Sequence, residues 1–551
     1  MEFILEGSFK TFITVTDLEV VEKGSPLEKN NMNFPFKKYS HFATDWVGII
    51  EEIESTDTSS VKNDNYSFGF KVTNGSFGMT SIVKSRIYPR NNYYTQGDYV
   101  VVTFEAFDHN GRERLMGGDF LMAVMFNRTL GKSTAGRVVD HYNGTYSIYF
   151  YAAWVGYSEF NVTLHTTREA LQWLTTVYRP PEERTKWNAT FKDGLRKYRV
   201  ECSLRTGAPW NNSCEFTKPN TFGQYRIICN KPMYGSCQQL YSIEMTTPSL
   251  NSGAAKAMSG KESLFSQPVT SLHMKTTVEI GHSNAGYQRY PMGSVPCGPD
   301  MPVPLSDGFW ASESVYTSLT CRTQQWSTEQ AKRCLAGKQL KMIGDSTLLQ
   351  WYKSLSSVIR PNWRKISGWT GNLQFKEDDI RVQFHFIGLR EGRLQYLEDV
   401  LFEGDLIDSI KGSQCTDTVL VFTLGLHFVT WTPRSYIERL YSIRKAVLRL
   451  RARCGTKTIV IFKCPHPRDN ANIFQRVHSN NALIYDLRRI IRRVLSGIGI
   501  AFVEIWDMSL SHASKTVAHM PMEPVIRQQV FIMLSYICPE TSENIDRIGS
   551  G

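Results

Sequence analysis

Between residues 99 and 165, β-branched and aromatic positions alternate with polar ones in short runs, each stopped by a turn signal. The run 99–107 (Tyr-Val-Val-Val-Thr-Phe-Glu-Ala-Phe) stops at Asp108-His109-Asn110-Gly111. A second run covers 119–126, a third follows the turn at Asn143-Gly144, and a fourth covers 157–165. Period-two patterning closed by Asp, Asn and Gly predicts strands joined by tight turns, and this spacing predicts a β-sandwich over 76–167. From 338 the period changes. Apolar runs at 339–343, 380–387, 418–424, 458–462 and 500–506 alternate with amphipathic stretches at 347–358, 436–453, 483–495 and 525–537. Strands alternating with helices predict a doubly wound parallel sheet covered on both faces. The expected fold is therefore multidomain: a polar lead-in (1–75), the sandwich (76–167), a cysteine-containing module and Pro/Gly-rich linker (168–337), the α/β domain (338–538) and a tail (539–551).

Composition adds the compartment. Of the eleven cysteines none precedes Cys202, and no two have CxxC spacing. That spacing argues against zinc, so no metal is expected, and for disulfides formed in an oxidising compartment, with one cysteine left over. Seven Asn-x-Ser/Thr sequons, at Asn65, Asn74, Asn127, Asn143, Asn161, Asn188 and Asn211, all lie before residue 212. Together these features point to a secreted, Golgi-lumenal or endoplasmic-reticulum-lumenal glycoprotein. The first residues, Met-Glu-Phe-Ile-Leu-Glu-Gly, carry no signal or anchor pattern, so the amino terminus is read as incomplete. A net charge of +11 suits acidic partners such as sialylated or sulfated glycans. No nucleic-acid-binding module is present, so none is invoked.

Candidate chemistry gathers where the strands of an open α/β sheet end, because ligands bind on that rim. The first strand runs into Gly344-Asp345-Ser346 and a helix; the later ends give Gly388, Gly425-Leu426-His427 and Asp507, with His512 and His519 beyond. A serine at a helix N-terminus has N–H groups at hand for an oxyanion and needs a histidine as base and a carboxylate to orient it. Each residue also has a plainer role. Asp345 and Ser346 cap helices, Gly388 ends a strand, His427 is a satisfied core histidine, Asp507 caps the next segment and His512 sits in a surface loop.

The motifs resemble known families. Asp140-x-x-Asn143-Gly-Thr-Tyr followed by Trp154-Val-Gly-Tyr resembles a filamin-type immunoglobulin-like repeat. Gly344-Asp345-Ser346 with a late Asp and His before a terminal helix resembles the SGNH and PC-esterase enzymes. Met342-Ile-Gly-Asp-Ser-Thr-Leu-Leu-Gln-Trp-Tyr, Leu424-Gly-Leu-His-Phe, Ile505-Trp-Asp-Met and Met533-Leu-Ser-Tyr-Ile-Cys538 resemble the neurexophilin and PC-esterase domain family. Residues 76–240, with Asp108-His-Asn-Gly-Arg and Gly117-Gly-Asp-Phe-Leu, resemble its neurexophilin-like half.

This resemblance implies acetyl transfer to, or removal from, glycan hydroxyls. Ser346 would be the nucleophile, His519 the base and Gly388 a second oxyanion donor. No bound cofactor is implied, but an acetyl donor such as acetyl-CoA would be consumed. The partners would be a glycan or glycoprotein substrate and a cell-surface protein held by the sandwich. Two departures stand out. Thr516 occupies the place of the Asp three residues before the histidine, leaving Asp507 to serve, and His427 stands where the wider group has Asn. The alternatives are a triad using His512 as base, and a catalytically inactive binding or adhesion protein built on the enzyme scaffold.

Overall fold

The computed structural model describes residues 78–174, 186–203, 210–218, 221, 226–246, 260–266, 270–273, 277–283, 295–301, 303–361, 372–390, 393–431, 433–469, 472–514 and 518–539. The polar lead-in, Asn65, Asn74 and Thr516 lie outside these residues.

The first half folds into β1 (Arg86–Pro89), β2 (Tyr93–Thr95), β3 (Tyr99–Glu105), β4 (Phe120–Asn127), β5 (Lys132–Asp140), β6 (Thr145–Tyr151) and β7 (Gly156–Thr166), then helix α1 (Arg168–Trp173). Strands β1-β3-β6-β5-β4-β7 pair in that order, all antiparallel. The sheet curls so that its alternate residues Val100, Val102, Phe104, Ile148, Phe150, Phe160 and Val162 share one core. That alternation is the pattern read from the sequence, turned into one buried and one outward face.

A smaller antiparallel sheet follows, from β8 (Lys186–Asp193), β9 (Arg196–Ser203), β10 (Ser213–Thr217), β11 (Arg226–Asn230) and β12 (Leu240–Thr246). Disulfides Cys202–Cys229 and Cys214–Cys237 staple it. Strands on either side of the Pro/Gly-rich linker then return to the first sheet. β13 (Thr270–His273) and β14 (Val278–Gly281) pair with β7, and β15 (Gly308–Trp310) pairs with β16 (Tyr316–Ser318) and with β5.

The last unit is a mixed α/β layer. After α2 (Thr328–Leu335) come β17 (Gln339–Gly344), α3 (Ser346–Ile359), β18 (Leu373–Glu377), β19 (Ile380–Phe386), β20 (Arg393–Tyr396), α4 (Glu403–Asp408), β21 (Thr418–Phe422), α5 (Pro433–Cys454), β22 (Ile459–Lys463), α6 (Ile473–His478), α7 (Asn481–Leu495), β23 (Ala501–Val503), α8 (Trp506–Ser511) and α9 (Arg527–Ile537). The sheet order is β18-β19-β17-β21-β22-β23, parallel except for the edge strand β18. Leu340, Met342, Val419, Val421 and Ile461 enter the core under α3 and α9. Their neighbours Ile343, Leu420, Phe422, Val460 and Phe462 enter the opposite core under α5 and α7. Both faces are therefore buried, which is why these strands are continuous apolar runs. β20 leaves this layer and forms the edge of the smaller sheet beside β12. Cys297–Cys321, Cys334–Cys538 and Cys415–Cys454 close the remaining disulfides, and Cys464 is free and buried.

Candidate active site

β17 ends at Gly344 for a steric reason. A Cβ there would lie 2.7–2.8 Å from Leu348 and Thr423, so only glycine lets strand and helix approach this closely. Asp345 then caps α3. Its Oδ1 accepts from the Thr347 N–H (2.8 Å) and hydroxyl (2.6 Å), and its carbonyl accepts from Leu348 and Leu349 (both 3.1 Å). The Ser346 N–H is left over at the positive end of the helix.

The Ser346 hydroxyl is 2.7 Å from His519 Nε2. Strand end and terminal segment thus bring together the two residues separated by 173 positions in the chain. Gln350, one turn further along α3, donates through Nε2 to the Met520 carbonyl at 2.7 Å and so ties the histidine's segment to the serine's helix. Burial holds the His519 imidazole below its ordinary range; the Asp345 carboxylate opposes this, and Arg468, His427 and Lys353 add to it. An imidazole that is neutral near pH 7 and faces a hydroxyl is set to accept a proton.

The other expected residues divide. Gly425 sits against Asp345, its Cβ position 3.5 Å from Oδ2, and half-buried His427 follows it. Gly388 lies just past the end of β19, where a Cβ would meet Phe402 and Val400 at 2.4 Å. Asp507 does not take the orienting position expected of it. Residues 506–511 form a short helix rather than extending the strand, and this turns Asp507 away to accept the Asp307 N–H at 2.8 Å. There it faces a buried group in which Arg488 bonds both Asp307 and Glu504. No hydrogen bond joins Asp507 to His519 among the described residues. His512 also points elsewhere. Its Nδ1 accepts from Ser514 N–H at 3.1 Å, its Nε2 faces the Glu313 carbonyl at 3.2 Å, and its ring packs on Trp310.

Sequence reasoning missed the floor of the site. Lys463, at the end of β22, is buried and donates to the Thr347 hydroxyl at 2.8 Å. Burial pushes its ammonium down to about 8, while Asp345 opposes the shift. Burial alone would raise the Asp345 carboxyl, but Lys463, His427 and Thr347 outweigh it and hold it below the usual range. Asp345 Oδ2 is buried and accepts no hydrogen bond. His466 is buried beside them; its Nδ1 donates to the Pro467 carbonyl at 2.7 Å, and burial pushes the imidazole down to about 3. The signal was available. Phe462-Lys463-Cys464-Pro465-His466 is the end of a parallel strand, on the same rim as Ser346.

Of the sequon asparagines, Asn143 and Asn211 are exposed, while Asn127, Asn161 and Asn188 are partly buried. The Asn127 amide donates to the Tyr157 carbonyl at 2.7 Å, and Asn161 Oδ1 faces His273 Nδ1 at 2.9 Å.

Comparison with known proteins gives matches to solved structures and to two families. Among solved structures, the crystal structure of the Lin-41 filamin domain matches at 15% identity, over 15% of this chain and 81% of that one, with a TM-score of 0.14. Invasin, a bacterial integrin-binding protein, matches at 13% identity over 41% of this chain and 43% of that one, with a TM-score of 0.14. Residues 95–246 match the Neurexophilin family. Residues 316–538 match the family described as NXPE family member 4-like, C-terminal domain. The two family matches, one on each half of the chain, are consistent with a relationship to the NXPE family.

Proposed function

We propose that the protein is a serine-dependent acyl-transfer enzyme of the SGNH and PC-esterase kind, moving an acetyl group to or from a glycan hydroxyl. The observation that carries this reading is the Ser346–His519 hydrogen bond of 2.7 Å at the N-terminus of α3. Ser346 Oγ attacks the acyl carbonyl carbon while His519 Nε2 takes the hydroxyl proton. The carbonyl electrons move onto oxygen, where the Ser346 and Gly388 N–H groups serve as donors; losing one such donor costs about 3 kcal/mol of transition-state stabilisation. The tetrahedral centre collapses, the leaving group takes the proton from His519, and an acetyl-serine remains. A sugar hydroxyl, or water, then gives its proton to His519 and attacks the acetyl carbon, and His519 returns that proton to Ser346 Oγ as the acyl–serine bond breaks. The donor is an activated acetyl compound such as acetyl-CoA, consumed rather than held.

The Neurexophilin match over 95–246 supports an immunoglobulin-like or filamin-like reading of the first sheet as a module that holds a cell-surface protein. Disulfides in both halves support a secretory or Golgi compartment. A small activated acetyl ester tests the reading. Wild type should acquire one acetyl group on Ser346, found by intact mass and peptide mapping, and Ser346→Ala should acquire none there while keeping its circular dichroism. Wild type unlabelled at Ser346 by acetyl esters and by acetyl-CoA would end this reading. It would favour the second one, a binding protein on an enzyme scaffold, to which the engagement of Asp507 with Asp307 lends support.

A further inference from the structure

A hydroxyl–imidazole pair works best when a nearby negative charge stabilises the imidazolium as it forms. Asp507, the carboxylate expected to do this, is bonded to the Asp307 N–H and faces a separate ionic group. The carboxylate next to the pair is Asp345, adjacent in sequence to Ser346 and buried. Its helix-capping role occupies Oδ1 alone, through the Thr347 N–H and hydroxyl. Oδ2 is enclosed against Gly425 and accepts no hydrogen bond, an arrangement that capping by itself does not require. A buried carboxylate with one bare oxygen keeps most of its charge unspent, and that charge acts strongly on neighbours in a water-poor site.

Such a charge needs a counter-ion to stay ionised. Lys463 supplies it from the end of β22. Its ammonium donates to Thr347 Oγ1, and the same hydroxyl donates to Asp345 Oδ1, forming one connected line from lysine to carboxylate. The other charged or titratable groups facing this line are few: His427 from the loop after β21, Cys464, His466 and Arg468 from the stretch after β22, Lys353 from α3 and His519 itself. All are cationic or neutral, burial keeping the Cys464 thiol protonated, so Asp345 is the ionised acid among them.

We propose that Asp345, not Asp507, is the carboxylate whose charge supports the His519 imidazolium, and that Lys463 acts through Thr347 to keep Asp345 ionised and in place. Both are positioning residues; neither touches the acyl group. The inference deepens the acyl-transfer reading and rests on it for its purpose, but its electrostatic content is measurable without activity.

The experiment follows carbethoxylation of His519 by diethyl pyrocarbonate against pH in the full chain, with peptide mapping to isolate that residue. Modification reports the fraction of neutral imidazole. Asp345→Asn keeps a capping side chain and removes the charge, so the midpoint for His519 should fall by about one pH unit. Asp345→Ser, another capping residue, repeats the test should the Asn variant misfold. Asp507→Asn should leave the midpoint where it is. Lys463→Met deprives Asp345 of its counter-charge, so the carboxyl should titrate in the same range and the His519 curve should depart from a single-proton shape. An unmoved midpoint in the Asp345 variants, or a fall in Asp507→Asn instead, overturns the assignment of Asp345. An unaltered single-proton curve in Lys463→Met overturns the part played by Lys463. Acetylation of wild-type Ser346 is scored separately. A shifted midpoint with no acetyl-serine would leave the electrostatic assignment standing and remove the enzymatic reading; acetyl-serine with an unmoved midpoint would do the reverse.

Discussion

The serine's position depends on a glycine two places before it. Gly344 lets α3 start directly from β17, and a methyl group there would press on Leu348 and Thr423 at 2.7–2.8 Å from three atoms. Those atoms belong to packed, buried residues with no free space to move into. Gly344→Ala should therefore cost about 1–3 kcal/mol of stability, as overpacked core substitutions do. It should also displace Ser346 from His519 and reduce acetylation of Ser346 by roughly 100-fold, the usual penalty for a misplacement on the order of 1 Å. Urea unfolding and the labelling rate measure the two effects; an alanine variant that labels at the wild-type rate would show that the close approach does not set the serine's position. At this scale the sequence was informative where a local rule applied. Gly-Asp-Ser between an apolar run and an amphipathic stretch is a strand–turn–helix, and it reads correctly as one. For Lys463 the strand end placed it on the rim but left its partner open, because a single lysine there looks the same in sequence whether it reaches solvent or Thr347.

Elements were legible in proportion to how local their causes are. The alternation of Met342 with Ile343 and of Val421 with Phe422 into opposite cores follows from a two-residue repeat buried on both faces. β23 is shorter than its apolar run, because Glu504 turns into the side chains of Arg488 (2.6 Å) and Arg492 (2.7 Å) and the chain enters α8 at Trp506. Nothing near 504 in sequence announces those arginines. β20 was equally hidden: four residues of the α/β segment take their partner from β12, a pairing set by tertiary contact alone. The packing of α5 carries a similar non-local bond. Arg439 grips Glu403 of α4 with contacts of 2.8 and 3.0 Å from one nitrogen, and the two side chains are 0% and 1% exposed. A pair this deep is costly to break, since the survivor is left charged and dry. Glu403→Gln should lower unfolding free energy by about 3–5 kcal/mol. Replacing both partners with apolar residues of similar volume should cost much less. Denaturant titration of the single and double variants separates the two outcomes, and equal losses would contradict the burial argument.

Across the molecule, the seam between the curled sheet and the α/β layer determines whether the two halves behave as one. Polar contacts cross it beside an apolar cluster of Leu171, Trp173, Val477 and Ala482. Arg137 of β5 donates to the Tyr485 hydroxyl of α7 at 2.8 Å, Ser133 donates to the Ser511 carbonyl at 2.6 Å, and Phe120 packs on Tyr485. At its centre is His165 of β7, buried, with Nδ1 facing Thr166 Oγ1 at 2.8 Å and Nε2 facing the Asn481 amide nitrogen at 2.9 Å. An amide nitrogen can only donate, so Nε2 accepts and Nδ1 carries the proton. A second proton would set two donors against each other in a dry seam. Burial accordingly pushes the imidazole down to about 3, with Arg476 adding to the effect. The sign follows from linkage. The folded pKa lies below the unfolded value near 6.5, so the unfolded chain binds a proton that the folded chain refuses. This contribution to stability is complete above pH 6.5 and is lost as pH falls toward 3, by about 1.4 kcal/mol per unit. Other groups titrate over the same interval, so the variant His165→Gln isolates the effect. Gln keeps an acceptor for Asn481 and a donor for Thr166 but cannot be protonated. At pH 7.5 the substitution should destabilise, because it disturbs a close-packed contact. As pH is lowered the wild type should lose this advantage, and below about pH 5.5 the variant should unfold at the higher temperature. Thermal unfolding of both proteins from pH 7.5 to 4.5 gives the comparison, and parallel curves with a constant offset would mean that His165 does not refuse its proton when folded.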